Sequence, residues 1–360
     1  MANVVELLSE LVAFPTQQAG GEGGAGNERA LCEHLVPKLN VLGADEVVLA
    51  EAPRTDGSPG AYVFARWGTP RRVINAHVDT VPANAGWSRS PWQPHIEGGR
   101  LYGLGSCDTK ASIAASLIAL DRVKPRDCGV LFSGDEEAGS AVMHAFLDSP
   151  HAKGIEQVIV CEPTARKAGI AHRGVLAHAA SLEGAGGHSS KADFMPKPIA
   201  TLARLAVGLD ELGKRAMADG PEGMKGLCMN IAALHGGMAF NVVPQRGRLE
   251  WSTRPYPGFD RAAYDGALKE LIASIDPKIQ LAVTVDHAPF GCDELVDLVK
   301  PFVTSVGSLD FWTEAALYEH HGIDAIVIGP GDIAQAHAAD EFVPIADLEW
   351  AVDLFEHLLR

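Results

Sequence analysis

Residues 72–79 read Arg-Val-Ile-Asn-Ala-His-Val-Asp. After Arg72 the run is apolar or small with a single Asn, as suits a strand buried on both faces of a sheet. His77 and Asp79, two residues apart at its end, point to one side. The same plan recurs along the chain. Gly129-Val-Leu-Phe132 runs into Gly134-Asp-Glu-Glu137, Val158-Ile-Val-Cys161 ends at Glu162-Pro163, and Ala325–Ile328 precedes a Gly-Pro-Gly loop and Gln335-Ala-His337. After Gly103 and Gly105 a helix is expected from near Asp108, with Ile113, Leu117, Leu120 and Val123 facing inward. Alternating strands and helices of this kind define an α/β fold, a mostly parallel sheet with helices on both faces.

Outward from this core, residues 4–13 have the spacing of an amphipathic helix, with Val4, Leu7, Leu8, Leu11 and Val12 on one side. A glycine-rich stretch at Gly20–Gly26 reads as a loop. Residues 28–42 return to helical spacing, although Pro37 should kink or shorten that helix. Ser140 is placed to cap the helix that follows Glu137. The middle of the chain changes character: a strand over 174–183, a helix over 196–217, strands over 228–235 and 247–254, a helix over 260–275 and a strand over 279–286. That β-α-β-β-α-β order is the split ferredoxin-like plan. The α/β pattern then resumes and closes with a helix over 347–359. The expected organisation is one domain made of 1–170 and 291–360, with 171–290 inserted into it.

Composition bounds the function. With 360 residues, two domains are a better expectation than one core. Hydrophobic residues make up 47% and charged residues 21%, a globular composition. Thirty basic against 46 acidic residues give a net charge of −16 with no Lys/Arg run, so a nucleic acid partner, which requires a basic face, is not expected. The first residues carry Glu6 and Glu10 within their apolar pattern and no basic leader, so they read as a helix and not as a signal peptide. No apolar run approaches the ~20 residues that span a bilayer. Six cysteines (32, 107, 128, 161, 228 and 292) form no CxxC pair, as expected of reduced thiols in the cytoplasm.

Each acidic or histidine segment has an ordinary reading. A lone His on a strand is usually a hydrogen-bonded core residue, Asp108 before a helix could be an N-cap, and Glu136-Glu137 could be a surface turn. Glu162 ends a buried strand, where an unpartnered carboxylate is costly. What sets these four segments and His337 apart is a shared address, the C-terminal edge of a parallel sheet, where α/β proteins bind ligands. Imidazoles and carboxylates gathered there are what a pair of divalent metal ions requires. Adjacent Glu136 and Glu137 repel unless cations compensate, which suits one binding metal while the other handles a proton.

Taken together, His77-Val-Asp79-Thr-Val-Pro, Gly103-Leu-Gly105-Ser-Cys-Asp108-Thr-Lys110, Asp135-Glu136-Glu137, Cys161-Glu162-Pro163-Thr164, Gly187-His188-Ser189, Asn241-Val-Val-Pro244 and His337 resemble the M20 metallopeptidase family. The resemblance covers nearly the whole chain, and is nearest to the family's acetylornithine and acetylcitrulline deacetylase branch. It implies a zinc-exopeptidase-like catalytic domain, an inserted lid and dimerisation domain, and two divalent ions per subunit, zinc or cobalt. Asp108 would bridge the ions, with His77 and Glu162 completing one site and Glu137 and His337 the other. Glu136 would be the general base and Asp79 would orient His77. His188 would reach the reacting carbonyl of a partner subunit's substrate, while Asn241 and Arg254 would contact substrate, Arg254 through its α-carboxylate. The implied reaction removes the acetyl group from an N-acetyl-L-amino acid of arginine biosynthesis. In one departure, Ala111 stands where the family's Asp-x-Lys-Gly has glycine; in another, the lid is compact. Two other readings are a dipeptide exopeptidase, differing only in pocket contacts, and a metal-dependent binding protein, which would not need a base at Glu136.

Overall fold

The computed structural model describes residues 3–18 and 27–360, so the expected glycine loop lies outside the described residues. The chain divides into two compact units. One comprises Met1–Ile170, Cys292–Ser308 and Thr313–Arg360, the other Ala171–Gly291 and Leu309–Trp312. The fold is mixed α/β.

In the first unit four central strands run parallel in the order Cys128–Ser133, Arg72–His77, Gln157–Val160 and Asp324–Val327. Ile74 stands opposite Val130 and Ile159, and Ile159 opposite Ile326. Nearly every residue of these strands is buried, which is why they are apolar throughout instead of alternating. The helices Val4–Val12, Lys110–Val123 and Ile345–Leu358 supply Leu7, Leu11, Ile113, Leu117, Leu348 and Phe355 to the same core. Each such fully buried side chain contributes about 1.5–3 kcal/mol. The first helix begins with a capping box in which Asn3 and Glu6 satisfy each other's backbone N–H groups.

Several local expectations are corrected. The sheet carries an antiparallel hairpin, Glu46–Pro53 with Pro59–Trp67, that the sequence reading passed over; its second strand pairs antiparallel with Cys128–Ser133. Lys167–His172 also meets the sheet antiparallel, through Gly169 and Val327. Pro37 does not shorten its helix, which runs from Glu28 to Val41. Burial of Leu31, Leu35 and Leu39 in the core offsets the ~3 kcal/mol that an internal proline costs. Ser140 stands at the start of Ala141–Leu147 in a left-handed conformation and makes no capping bond; the Asp135 carboxylate accepts from Ala141 N instead, at 2.9 Å. Asp108 is not an N-cap either, because Lys110–Val123 starts after Thr109.

The second unit has a four-stranded antiparallel sheet in the order Asn230–Gly236, Arg246–Thr253, Val175–Glu183 and Gln280–His287. Helices Pro198–Arg215 and Arg261–Ile275 pack on it through Leu205, Leu209 and Leu268 against Leu176, Leu249 and Trp251. This is the ferredoxin-like arrangement. Among the described residues no helix is long and apolar enough to cross a membrane.

Candidate metal centre

The parallel strands of the first unit end where its polar residues begin. His77 is the last residue of its strand and is buried. Its Nε2 lies 3.0 Å from Asp108 Oδ1, and the other oxygen of Asp108 lies 3.5 Å from His337 Nε2. His337 Nε2 is in turn 3.0 Å from Glu137 Oε1. Asp108 therefore stands between two imidazoles, one oxygen turned to each. Among the described residues, His77, Asp108 and Glu137 offer ligand atoms all within 4.8 Å of one another. Glu162 is buried just past its strand and feels the charges of Asp108, Glu136, His77 and Glu137.

Asp79 is fully buried and holds the turn beside this group. Its two oxygens accept from Glu136 N at 3.2 Å and Glu137 N at 3.1 Å, and Gln18 Nε2 donates to it as well. His77 Nδ1 is nearer the Asp79 backbone carbonyl, at 2.9 Å, than its carboxylate, at 3.6 Å. The carboxylate thus positions the Glu136–Glu137 turn more directly than it orients His77. Asp135, itself in a left-handed conformation, pins the same turn by accepting from Thr55 N, Thr55 Oγ1 and Ala141 N. Gly105 has φ +77°, and a Cβ there would stand 2.7 Å from Thr80 Cγ2. Only glycine lets the Asp108 loop lie this close to the strand end.

Electrostatics ask for cations. Burial pushes Glu136 and Glu162 well above the carboxylate range, and neighbouring acids add to it. Burial raises Glu137 too, against the His337 hydrogen bond. Asp108 is held below its usual value, because the bonds from His337 and His77 outweigh its burial. Hydrogen bonds to Asp108 and Glu137 push His337 up to about 10. Burial alone would depress His77, but Asp108 and Asp79 carry it well above normal. Two imidazoles cannot neutralise this many carboxylates, and divalent ions would. Mixed imidazole and carboxylate donors suit zinc, cobalt or manganese, so the donor set fits a metal.

Glu314, which the sequence reading missed, lies buried behind the centre. Its Oε2 accepts from Asn75 Nδ2 at 3.0 Å and Ser133 Oγ at 3.2 Å, and the Tyr318 hydroxyl donates to Asn75 Oδ1. Burial raises its pKa from 4.5 to about 7, against the pull of His77. The folded state then binds more protons than the unfolded between those values. Its stabilising contribution is complete below pH 4.5 and is lost as pH rises through 7, a change of roughly 3 kcal/mol. In metal-free protein, Glu314→Gln should therefore gain melting temperature over the wild type at pH 8 relative to pH 5. An equal offset at both pH values would remove this account.

His188, Asn241 and Arg254 belong to the second unit. The short strands Gly187–His188 and Val242–Val243 pair, and Ser189 N donates to Asn241 O at 3.0 Å, so the His188 and Asn241 loops are neighbours. His188 is exposed and its Nδ1 is tied to Ser190 Oγ at 2.8 Å, leaving Nε2 for a ligand. Arg254 is exposed.

Fold and donor set together are those of a metal-dependent enzyme. The model of "Peptidase family M20/M25/M40" matches residues 73–360, and the chain belongs to that family. It is 32% identical to N-acetyl-L-citrulline deacetylase of Xanthomonas campestris pv. campestris, over 100% of this chain and 98% of that protein. It is 28% identical to acetylornithine deacetylase of Erwinia tasmaniensis, over 100% and 98%. Among solved structures, the M20 family metallo-carboxypeptidase from Sulfolobus solfataricus superposes with a TM-score of 0.77 at 18% identity, covering 100% of this chain and 99% of that one.

Proposed function

We propose that the protein removes the acetyl group from an N-acetyl-L-amino acid of arginine biosynthesis, N-acetyl-L-citrulline in first place and N-acetyl-L-ornithine as the alternative. The observation that carries the hydrolytic reading is Asp108, with one oxygen towards His77 and the other towards His337. His77, Asp108 and Glu162 would hold one ion, and Asp108, Glu137 and His337 a second, as zinc or cobalt. Bound there, the ions would polarise the amide carbonyl and lower the pKa of a water molecule. The substrate assignment rests on the likeness to the two deacetylases.

Glu136 is the proton carrier. It accepts a proton from water as water attacks the acyl carbon, then gives it to the departing nitrogen. Asp79 holds the Glu136 backbone in place for this. His188 Nε2 donates to the reacting carbonyl oxygen of the partner subunit's substrate; such a donor is worth ~3–4 kcal/mol in other hydrolases. Asn241 contacts substrate, and Arg254 clamps the α-carboxylate. The second unit serves as lid and dimer contact. In support, Phe194, Met238 and Phe240 are exposed at 90%, 92% and 100%, an apolar display that calls for a covering surface. All six cysteines are free, in keeping with a cytoplasmic enzyme.

Hydrolysis of a panel of N-acetyl amino acids and dipeptides, with Zn²⁺ and Co²⁺ in parallel, tests this reading. Turnover is expected to peak on acetylcitrulline or acetylornithine. A preference for dipeptides would overturn the substrate, and no hydrolysis with either metal the reaction. For the trans role, dimers mixed from His188→Ala and Glu136→Gln subunits should recover activity in one composite site. No recovery would mean that the histidine acts within its own subunit.

A further inference from the structure

The loop that carries Asp108 is fastened by a residue far along the chain. Glu341 is 1% exposed. Its Oε2 accepts from Gly105 N at 2.9 Å, and its Oε1 from Cys107 N at 2.8 Å and Asp108 N at 3.1 Å. Its backbone carbonyl accepts from Gly103 N at 3.0 Å. The loop thus folds into a concave nest of N–H groups of the kind that commonly captures an anion, filled here by a side chain of the same protein. Beyond Glu341 the strand Phe342–Pro344 pairs with Arg100–Tyr102, so the clamp and the base of the loop share one small sheet. Lys110, buried two residues after Asp108, donates from Nζ to Phe14 O at 2.8 Å.

We infer that Glu341 is a positioning residue for the metal centre: its carboxylate gathers the N–H groups of Gly105, Cys107 and Asp108 and so sets where the Asp108 side chain stands. This rests on the reading of Asp108 as a shared metal ligand. Three backbone donors converge on this one side chain, so the loop has a single buried anchor. Without the carboxylate, three inward N–H groups lose their acceptor, and the loop must shift to find others. Such a shift would move Asp108, which stands 3.0 Å from His77 Nε2 and 3.5 Å from His337 Nε2. Glu341 also follows His337 by four residues, so one segment brings a ligand from one side and holds the opposing ligand's loop from the other. Supporting partners of this kind typically alter metal affinity 10–100-fold.

The test compares Glu341→Ala and Glu341→Gln with Val343→Ala, a buried change in the adjoining strand that leaves the nest alone. Amide hydrogen exchange over residues 103–110 is measured in the metal-free protein, and Zn²⁺ affinity by calorimetry. For Glu341→Ala, exchange at Cys107 and Asp108 should accelerate at least about tenfold and the Zn²⁺ Kd rise about 10–100-fold. Glu341→Gln keeps one acceptor oxygen, so Cys107 and Asp108 should stay partly protected while Gly105 exchanges faster. Its Kd should rise less, by about tenfold, a partial rescue by the conservative variant. Val343→Ala should lower the melting temperature without either effect. Unchanged exchange and affinity in Glu341→Ala, or equal changes in Val343→Ala, would overturn the inference. Should Glu341→Ala fail to fold, the isosteric Gln variant decides it: wild-type exchange at Gly105 with wild-type affinity overturns it equally. Because exchange is read without metal or substrate, failure here is distinct from failure to hydrolyse acetylated amino acids.

Discussion

Glu136→Gln is expected to retain its metal and its fold while kcat falls at least ~10²-fold. Glutamine matches glutamate in shape, and the backbone N–H of residue 136 would still donate to Asp79. What disappears is the ability to take a proton and hand it on. Without metal, burial and the neighbouring acids raise the Glu136 carboxyl against the pull of His77, and cations beside it would favour the ionised form that accepts a proton. KM should change little, since the amide occupies the same space. Metal content by elemental analysis and kcat at saturating metal check both halves of the expectation. Near-normal turnover in a metal-replete variant would dispose of the mechanism.

Asp108→Ala is expected to impair both metal sites at once. One carboxylate faces His77 and His337 together, so its loss removes a shared partner and not one ligand among several. Affinity should fall by more than the ~10²-fold upper range seen for groups that only support ligands, and activity at micromolar Zn²⁺ should drop to background. Calorimetric stoichiometry is the direct readout. Two ions bound with wild-type affinity would show that Asp108 is not shared. A variant that loses one ion and keeps the other would reassign it to a single site.

The sequence disclosed the parallel core because those strands are apolar on both faces and three of them run within two residues into His77, Asp135 or Glu162. The ferredoxin-like unit was legible from the order of its elements. The hairpin over 46–67 escaped because Glu46–Pro53 is only half buried and shows neither a continuous apolar run nor clean alternation. Pro37 did not shorten its helix because local propensity lost to the burial of Leu31, Leu35 and Leu39. At the candidate site, His77, Asp108, Glu137 and His337 announced themselves by residue type at strand ends. Gln18, Glu314 and Glu341 did not, because their meaning lies in bonds to residues distant in the chain: Gln18 with Asp79, Glu314 with Asn75, Glu341 with Gly105. An acid four positions after His337 was the one local hint.

The strand Asp324–Val327 lies between Gln157–Val160 and Lys167–His172, yet it leaves the ribosome only after all of residues 171–291. The second unit is nearly contiguous and can collapse as soon as it emerges. The nascent first half must wait, with Gln157–Val160 presenting an open edge on which another chain could pair. Synthesis thus passes through an interval when the molecule is sticky, and a polypeptide released early would keep that edge uncovered. Demand for chaperones should be concentrated in this window, before the final segment closes the sheet and delivers His337.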